Sequence, residues 1–229
     1  MNDRMFSFIT VPNWNPVGGE CSHVCIYGWC KDLIEKFNME KYRGSIRLIE
    51  KELARTFKPG DFVFLEDMGD AFAFSVPDWM IERILQVIDR NPQTQFLALT
   101  KNPARYVEIR QFIREFPRNM ILGATIESNE NYPELSKAPS QSSRIEEMIE
   151  VKEFCENRRL VVIEPILDFH DSFVNFIQQI EPWAVAVGMD NYGHKLPEPP
   201  LAKTMKLIEE LEKFTTVHRK SLRKAWDEK

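Results

Sequence analysis

Six short, almost unbroken apolar runs recur along the chain, separated by stretches of helical periodicity. They are residues 5–10 (MFSFIT), 62–66 (FVFLE), 95–100 (QFLALT), 120–126 (MILGATI), 160–164 (LVVIE) and 183–188 (WAVAVG). A strand wetted on one face alternates apolar with polar residues, whereas a strand covered on both faces does not. The runs therefore predict a parallel sheet with helices packed on it. Apolar spacing predicts those helices over 45–56, 78–90, 104–116, 143–157, 171–180 and 201–214. Asp78, following Pro77, is the expected cap of the second, and Ser143 with Glu146 forms a capping-box pattern at the fourth. Strand and helix alternate as six β/α units in one domain, residues 1–229. The sheet is either an incomplete barrel or an open doubly wound sheet, and both place function at the carboxyl ends of the strands.

Charge narrows the partners. A net charge of −5 and a pI near 5.5 give no global attraction for phosphate backbones or anionic membranes. Basic residues gather in 211–229 (His218, Arg219, Lys220, Arg223, Lys224), which reads as a basic C-terminal helix or tail. The sequence has no apolar run of membrane-spanning length and no apolar leader at its N-terminus, so a cytoplasmic location is expected.

Three of the four cysteines crowd into ten residues as Cys21, Cys25 and Cys30, in a loop rich in glycine after the first run. A tight, odd-numbered trio reads as metal ligands rather than as a disulfide framework. The C-x3-C-x4-C spacing suits three thiolates wrapped on one face of an iron–sulfur cubane, leaving one iron open to a small molecule. The alternative is zinc, with His23 or Cys155 as fourth ligand, although the second ligand pair usual in zinc sites is missing from the sequence. Cys155 falls within a predicted helix and also fits a buried apolar position.

The segments WNPVGGECSHVC and IYGWC, then VFLEDMGDAF, VPDWMIERIL, FLALTKNPARY, ILGATIES, SRIEEMI, LVVIEPILDF and WAVAVGMDNYG run from residue 14 to about 193. In this order they resemble the radical S-adenosylmethionine (SAM) superfamily, and most closely its phage- and prokaryote-associated radical-SAM-like family. The resemblance implies a partial (β/α)6 barrel, a 4Fe–4S cluster on Cys21, Cys25 and Cys30, and S-adenosylmethionine as cofactor. It also implies generation of a 5′-deoxyadenosyl radical on an unknown substrate. The superfamily usually spaces its cysteines C-x3-C-x2-C, with an aromatic before the last. Here two further residues precede Cys30, while Trp29 keeps the aromatic. The loop is expected to bulge and still bind.

Polar residues close the apolar runs at their carboxyl ends, as an α/β active face requires. Asp67 and Asp70, after Glu66, are candidates for the methionine ammonium. Glu127, near Thr125 and Ser128, is a candidate for the ribose hydroxyls, and Arg144 for the methionine carboxylate. Glu164 points a further carboxylate at the same mouth, and Gly188 admits close approach of an adenine. Thr100, Lys101, Asp190, Tyr192 and His194 complete the expected rim, beneath a long loop at 128–141. A macromolecular substrate or a partner protein is expected to cover the open side. Two other functions fit the same residues: a non-catalytic metal-binding module carrying zinc or a degenerate cluster, and a nucleic-acid modification or repair factor.

Overall fold

The computed structural model describes residues 6–228. The strands are β1 (Val11–Trp14), β2 (Val17–Gly18), β3 (Arg47–Leu48), β4 (Phe62–Leu65), β5 (Gln95–Thr100), β6 (Met120–Thr125), β7 (Arg159–Ile163), β8 (Ala184–Val187) and β9 (Thr216–Arg219). The helices are α1 (Trp29–Lys36), α2 (Glu50–Leu53), α3 (Asp78–Asp89), α4 (Ala104–Ile109), α5 (Gln141–Phe154), α6 (Phe173–Ile180) and α7 (Leu201–Leu211). Seven strands form one parallel sheet in the order β1-β4-β5-β6-β7-β8-β9. Strands β2 and β3 pair antiparallel beside it.

Alternate residues of the central strands face opposite sides, and both sides are apolar. Val63, Phe96, Leu122, Val161 and Val185 join the helix-facing core, while Phe64, Leu97, Ile121, Leu160 and Ala184 form the inner cluster. Such double coverage is why these strands read as continuous apolar runs. At Gly123, in β6, an added Cβ would stand 2.7 Å from the Ala98 carbonyl oxygen. Gly123→Ala is therefore expected to cost about 1–3 kcal/mol of stability, read by urea denaturation; an unchanged midpoint would contradict it.

The ends of the sheet depart from the expected pattern. Residues 6–10 form no strand; β1 begins at Val11, and Met5 lies outside the described residues. The aromatics of this run pack side-on instead. Phe6 meets Phe64 and His218, and Phe8 meets Phe62, Trp183 and His218. They thereby fill the amino-terminal end of the partial barrel between β4 and the far edge. The segment 211–229, expected as a helix or tail, contains β9, which pairs with β8 from Ala184↔Thr216 to Val187↔Arg219. Its β-branched Thr216 and Val217 suit an edge strand.

Helix limits also shift. Only Glu50–Leu53 of 45–56 is helical, and α4 stops at Ile109. Asp78 starts α3 but makes no side-chain cap. The cap of α5 is Ser140, whose side chain accepts from the Ser143 amide, so Ser143 lies inside the helix and Cys155 ends it. Helix α1, unexpected from the sequence, starts at Trp29 and takes Cys30 into its first turn. Among the described residues no helix is long and apolar enough to cross a membrane.

Candidate functional site at the carboxyl face

The cysteine loop lies across the carboxyl ends of the strands and is fastened there at several points. His23 Nε2 and Asp70 Oδ2, beyond β4, are 2.7 Å apart. The Tyr27 hydroxyl donates to Glu127, beyond β6, at 2.7 Å. The Ile26 amide donates to the Leu135 carbonyl at 3.0 Å, and the Lys137 amide to the His23 carbonyl at 2.7 Å. Tyr27 also packs with Leu135, Leu167 and Leu196, so the loops after β6, β7 and β8 all converge on it.

Cys21, Cys25 and Cys30 are unbonded and half-buried. Burial, then the charge of Asp70, pushes the Cys21 thiol up to about 12, with Cys25 and Cys30 adding to the effect. Burial also raises Cys30, and Cys25 contributes. Cys25 thus lies near enough to both Cys21 and Cys30 for its charge to bear on them. A bound cation reverses that balance, because a coordinated thiol is deprotonated. Cys155 is apart from them, buried at the end of α5 and hydrogen-bonded to Asn157.

Among the described residues no three His, Cys, Asp or Glu side chains converge on a single-ion position. Three thiols on one loop are the donor chemistry that an iron–sulfur cluster takes.

The acids beside the loop are not equivalent. Asp70 accepts from Thr100 Oγ1 and the Lys101 amide, both at 2.9 Å, and from the Phe72 amide at 2.8 Å, besides its contact with His23. Asp67 accepts from Asn15 at 2.6 Å, and burial raises its carboxyl. Glu66 differs. Its backbone is left-handed at φ 63, held by its amide on the Trp14 carbonyl at 2.8 Å. Its Oε2 accepts from the Val17 amide at 3.0 Å, while buried Oε1 has no hydrogen-bond partner among the described residues. Burial holds its carboxyl well above the usual range. With Cys21, Tyr42, Asp70 and Ser75 it lines a cavity of about 10 Å³, room for one water-sized group. Asp67 and Asp70 were the sequence candidates for an ammonium; the carboxylate oxygen without a partner belongs to Glu66. The signal that marks it is a non-glycine residue at positive φ at a strand end.

Glu127 and Arg144, expected to contact separate parts of a cofactor, meet each other. Arg144 Nη1 donates to Glu127 at 2.7 Å and to the Thr125 carbonyl at 2.8 Å, and its Nε to the Pro139 carbonyl at 2.8 Å. Lys101 pairs with the other oxygen of Glu127 and reaches the Tyr27 hydroxyl at 3.2 Å. Burial alone would raise the Glu127 carboxyl, but the charges of Lys101 and Arg144 bring it down to about 2.

At β7 and β8, Glu164 pairs with Lys220 at 2.6 Å, and a Cβ on Gly188 would fall 2.8 Å from Glu164. The bare backbone of Gly188 thus abuts that carboxylate. Trp29 is half-buried just ahead of Cys30. Asp190 accepts from the Tyr192 and His194 amides and contacts the His194 ring, which folds the 190–194 loop on itself.

The fold these elements build is a partial β/α barrel. Spore photoproduct lyase shares it in three solved structures. A double mutant with bound AdoMet and dinucleoside spore photoproduct superposes at TM-score 0.53 and 12% identity, covering 88% of this chain and 60% of that one. The enzyme complexed with dinucleoside spore photoproduct gives 0.51 at 12% identity, with 87% and 60% covered. A single mutant gives 0.55 at 12% identity, with 89% and 61% covered. The chain therefore spans about three-fifths of the length of these enzymes, and the likeness is one of fold. No curated protein sequence matches it. The chain belongs to the family described as a protein of unknown function, DUF5131, which matches residues 9–191.

Proposed function

We propose that Cys21, Cys25 and Cys30 hold a 4Fe–4S cluster and that the chain is a radical SAM enzyme acting on an unknown substrate. The same reading makes its family a branch of that superfamily and puts it in a reducing, cytoplasmic setting. The supporting observation is the trio itself: three thiols free of disulfides, in a loop fastened to the carboxyl ends of β4 and β6 by His23 and Tyr27. When bound, the cluster and S-adenosylmethionine supply one-electron reductive cleavage and a carbon radical.

The chain's own residues bind and orient. Glu66 offers its unpartnered oxygen beside Cys21, the position for an ammonium. Ion pairing with an ammonium opposes the upward shift that burial gives this carboxyl. Glu127, Lys101 and Arg144 form the rigid floor that Tyr27 rests on. Glu164 and Gly188 bound the opposite side, where the Glu164 carboxylate packs on the Gly188 backbone and takes up the space at the glycine. The apolar contacts of Tyr27 with Leu135, Leu167 and Leu196 limit the access of water. A nucleic-acid substrate has support only from the dinucleoside in two of the matching structures; the net charge of −5 does not add to it.

Anaerobic reconstitution tests the reading. The expected product is brown, absorbs near roughly 400 nm, contains about four irons per chain and cleaves S-adenosylmethionine when reduced. A colourless protein with one zinc would overturn it in favour of a metal-binding module. Glu66→Gln is expected to keep the cluster but weaken S-adenosylmethionine binding about tenfold to a hundredfold, as loss of one charge-assisted hydrogen bond does. Equilibrium binding to the reconstituted protein measures this, and unchanged affinity would remove Glu66 from the site.

A further inference from the structure

The loop between β6 and α5 touches the cysteine loop with more than backbone. Ser136 Oγ lies 3.2 Å from Cys25 Sγ. The same hydroxyl is 3.1 Å from the His23 carbonyl and accepts from the Ala138 amide at 3.1 Å. Two backbone hydrogen bonds, Ile26 to Leu135 and Lys137 to His23, brace the contact on either side. Leu135 is buried beneath it.

Resting on the iron–sulfur reading above, we propose that Ser136 is a positioning residue that tunes the cluster through the Cys25 sulfur. A hydroxyl has one proton to donate. With Cys25 as a thiol, the S–H can donate to Ser136 while the Ser136 hydroxyl donates to the His23 carbonyl. A ligating sulfur is a thiolate and has no proton. Only Ser136 can then supply the proton in the Oγ···Sγ contact. Turning the hydroxyl from His23 to Cys25 leaves no orphan, because the His23 carbonyl keeps the Lys137 amide at 2.7 Å. The Ala138 amide continues to hold the Ser136 oxygen in place. The contact thus becomes a charge-assisted hydrogen bond on a cluster ligand. Reduction adds negative charge to the cluster, and a donor on its sulfur stabilises the reduced form.

Wild type, Ser136→Ala and Ser136→Thr, reconstituted to equal iron content, are titrated with a graded reductant and followed by electron paramagnetic resonance. Ser136→Ala is expected to shift the potential to a more negative value. At a fixed poise near the midpoint its reduced-to-oxidised ratio should fall about tenfold, the effect of losing one hydrogen bond to a charged group. Ser136→Thr, which keeps the hydroxyl, should titrate like wild type. A merely structural role would leave the potential of loaded protein in place. If Ser136→Ala fails to fold, Ser136→Val against Ser136→Thr makes the same comparison at matched size. Equal potentials in donor-bearing and donor-lacking variants would overturn the proposal while sparing the cluster assignment. Failure of wild type to take up a cluster would overturn both.

Discussion

Glu127→Ala is expected to remove about 3–5 kcal/mol from the unfolding free energy at neutral pH, the cost of breaking a buried ion pair from one side. Glu127 is fully buried, and Arg144 beside it is 1% exposed. Without the carboxylate, the Arg144 guanidinium and the Lys101 ammonium repel each other with no buried anion between them. Tyr27 loses its acceptor in the same step, so the cysteine loop loosens at one of its fastenings. A compensated variant separates these effects. Glu127→Leu combined with Arg144→Met and Lys101→Met should recover stability, because apolar replacement of whole buried ion groups is often neutral. The pH dependence has a definite sign. The Glu127 carboxyl sits at about 2 in the folded protein against an ordinary 4.5, so its contribution is full above about 4.5. It is lost as pH falls from 4.5 toward 2. Urea denaturation across that window should show a steeper acid limb in wild type than in Glu127→Gln, where Asp190 still contributes. A loss below about 1 kcal/mol in Glu127→Ala would show that the pair behaves as a solvated surface bridge.

The central strands were legible because both of their faces are covered. β4, β5, β6, β7 and β8 fall within or beside the apolar runs that predict them. β1 was hidden: its residues VPNW include a proline and an asparagine, while the aromatics before it pack as a plug. β9 was hidden for the opposite reason, since TVHR is a half-exposed edge with charged neighbours. The cysteine trio was visible as a motif because its members stand within ten residues of one another. What fastens it was not. Tyr27 meets Glu127 across 100 residues, and Cys25 meets Ser136 across 111. No local pattern carries a contact at that separation. Glu66 and Arg144 show the limit from another side. Both were visible as polar residues near strand ends, but only the fold reveals that Arg144 is committed to Glu127 while Glu66 keeps an oxygen without a partner.

Under the proposed reading, Cys25→Ala should empty the cluster site, with iron falling from about four per chain to near zero and the roughly 400 nm band lost. Cys155→Ala should leave both unchanged. The contrast follows from where the sulfurs sit. Cys25 contributes to the elevated pKa values of Cys21 and Cys30, and its own sulfur faces Ser136. Cys155 meets Asn157 at the end of α5, where its pKa responds to burial and then to its immediate neighbours, Asn157, Arg159 and Glu156. A cluster held by two thiolates has two irons without protein ligands, and the remaining cysteine, Cys155, is buried at the end of α5. Stability should divide the other way in the metal-free proteins. Cys25 is half-buried on a loop, so Cys25→Ala should change the urea midpoint little. Cys155 is buried against the helix-facing core, so Cys155→Ala should cost about 1–2 kcal/mol through lost packing. Metal analysis and denaturation of the same two variants thus give opposite orders. A Cys25→Ala protein that retains its iron would mean that the trio is not the ligand set, and the radical chemistry proposed for this chain would fall with it.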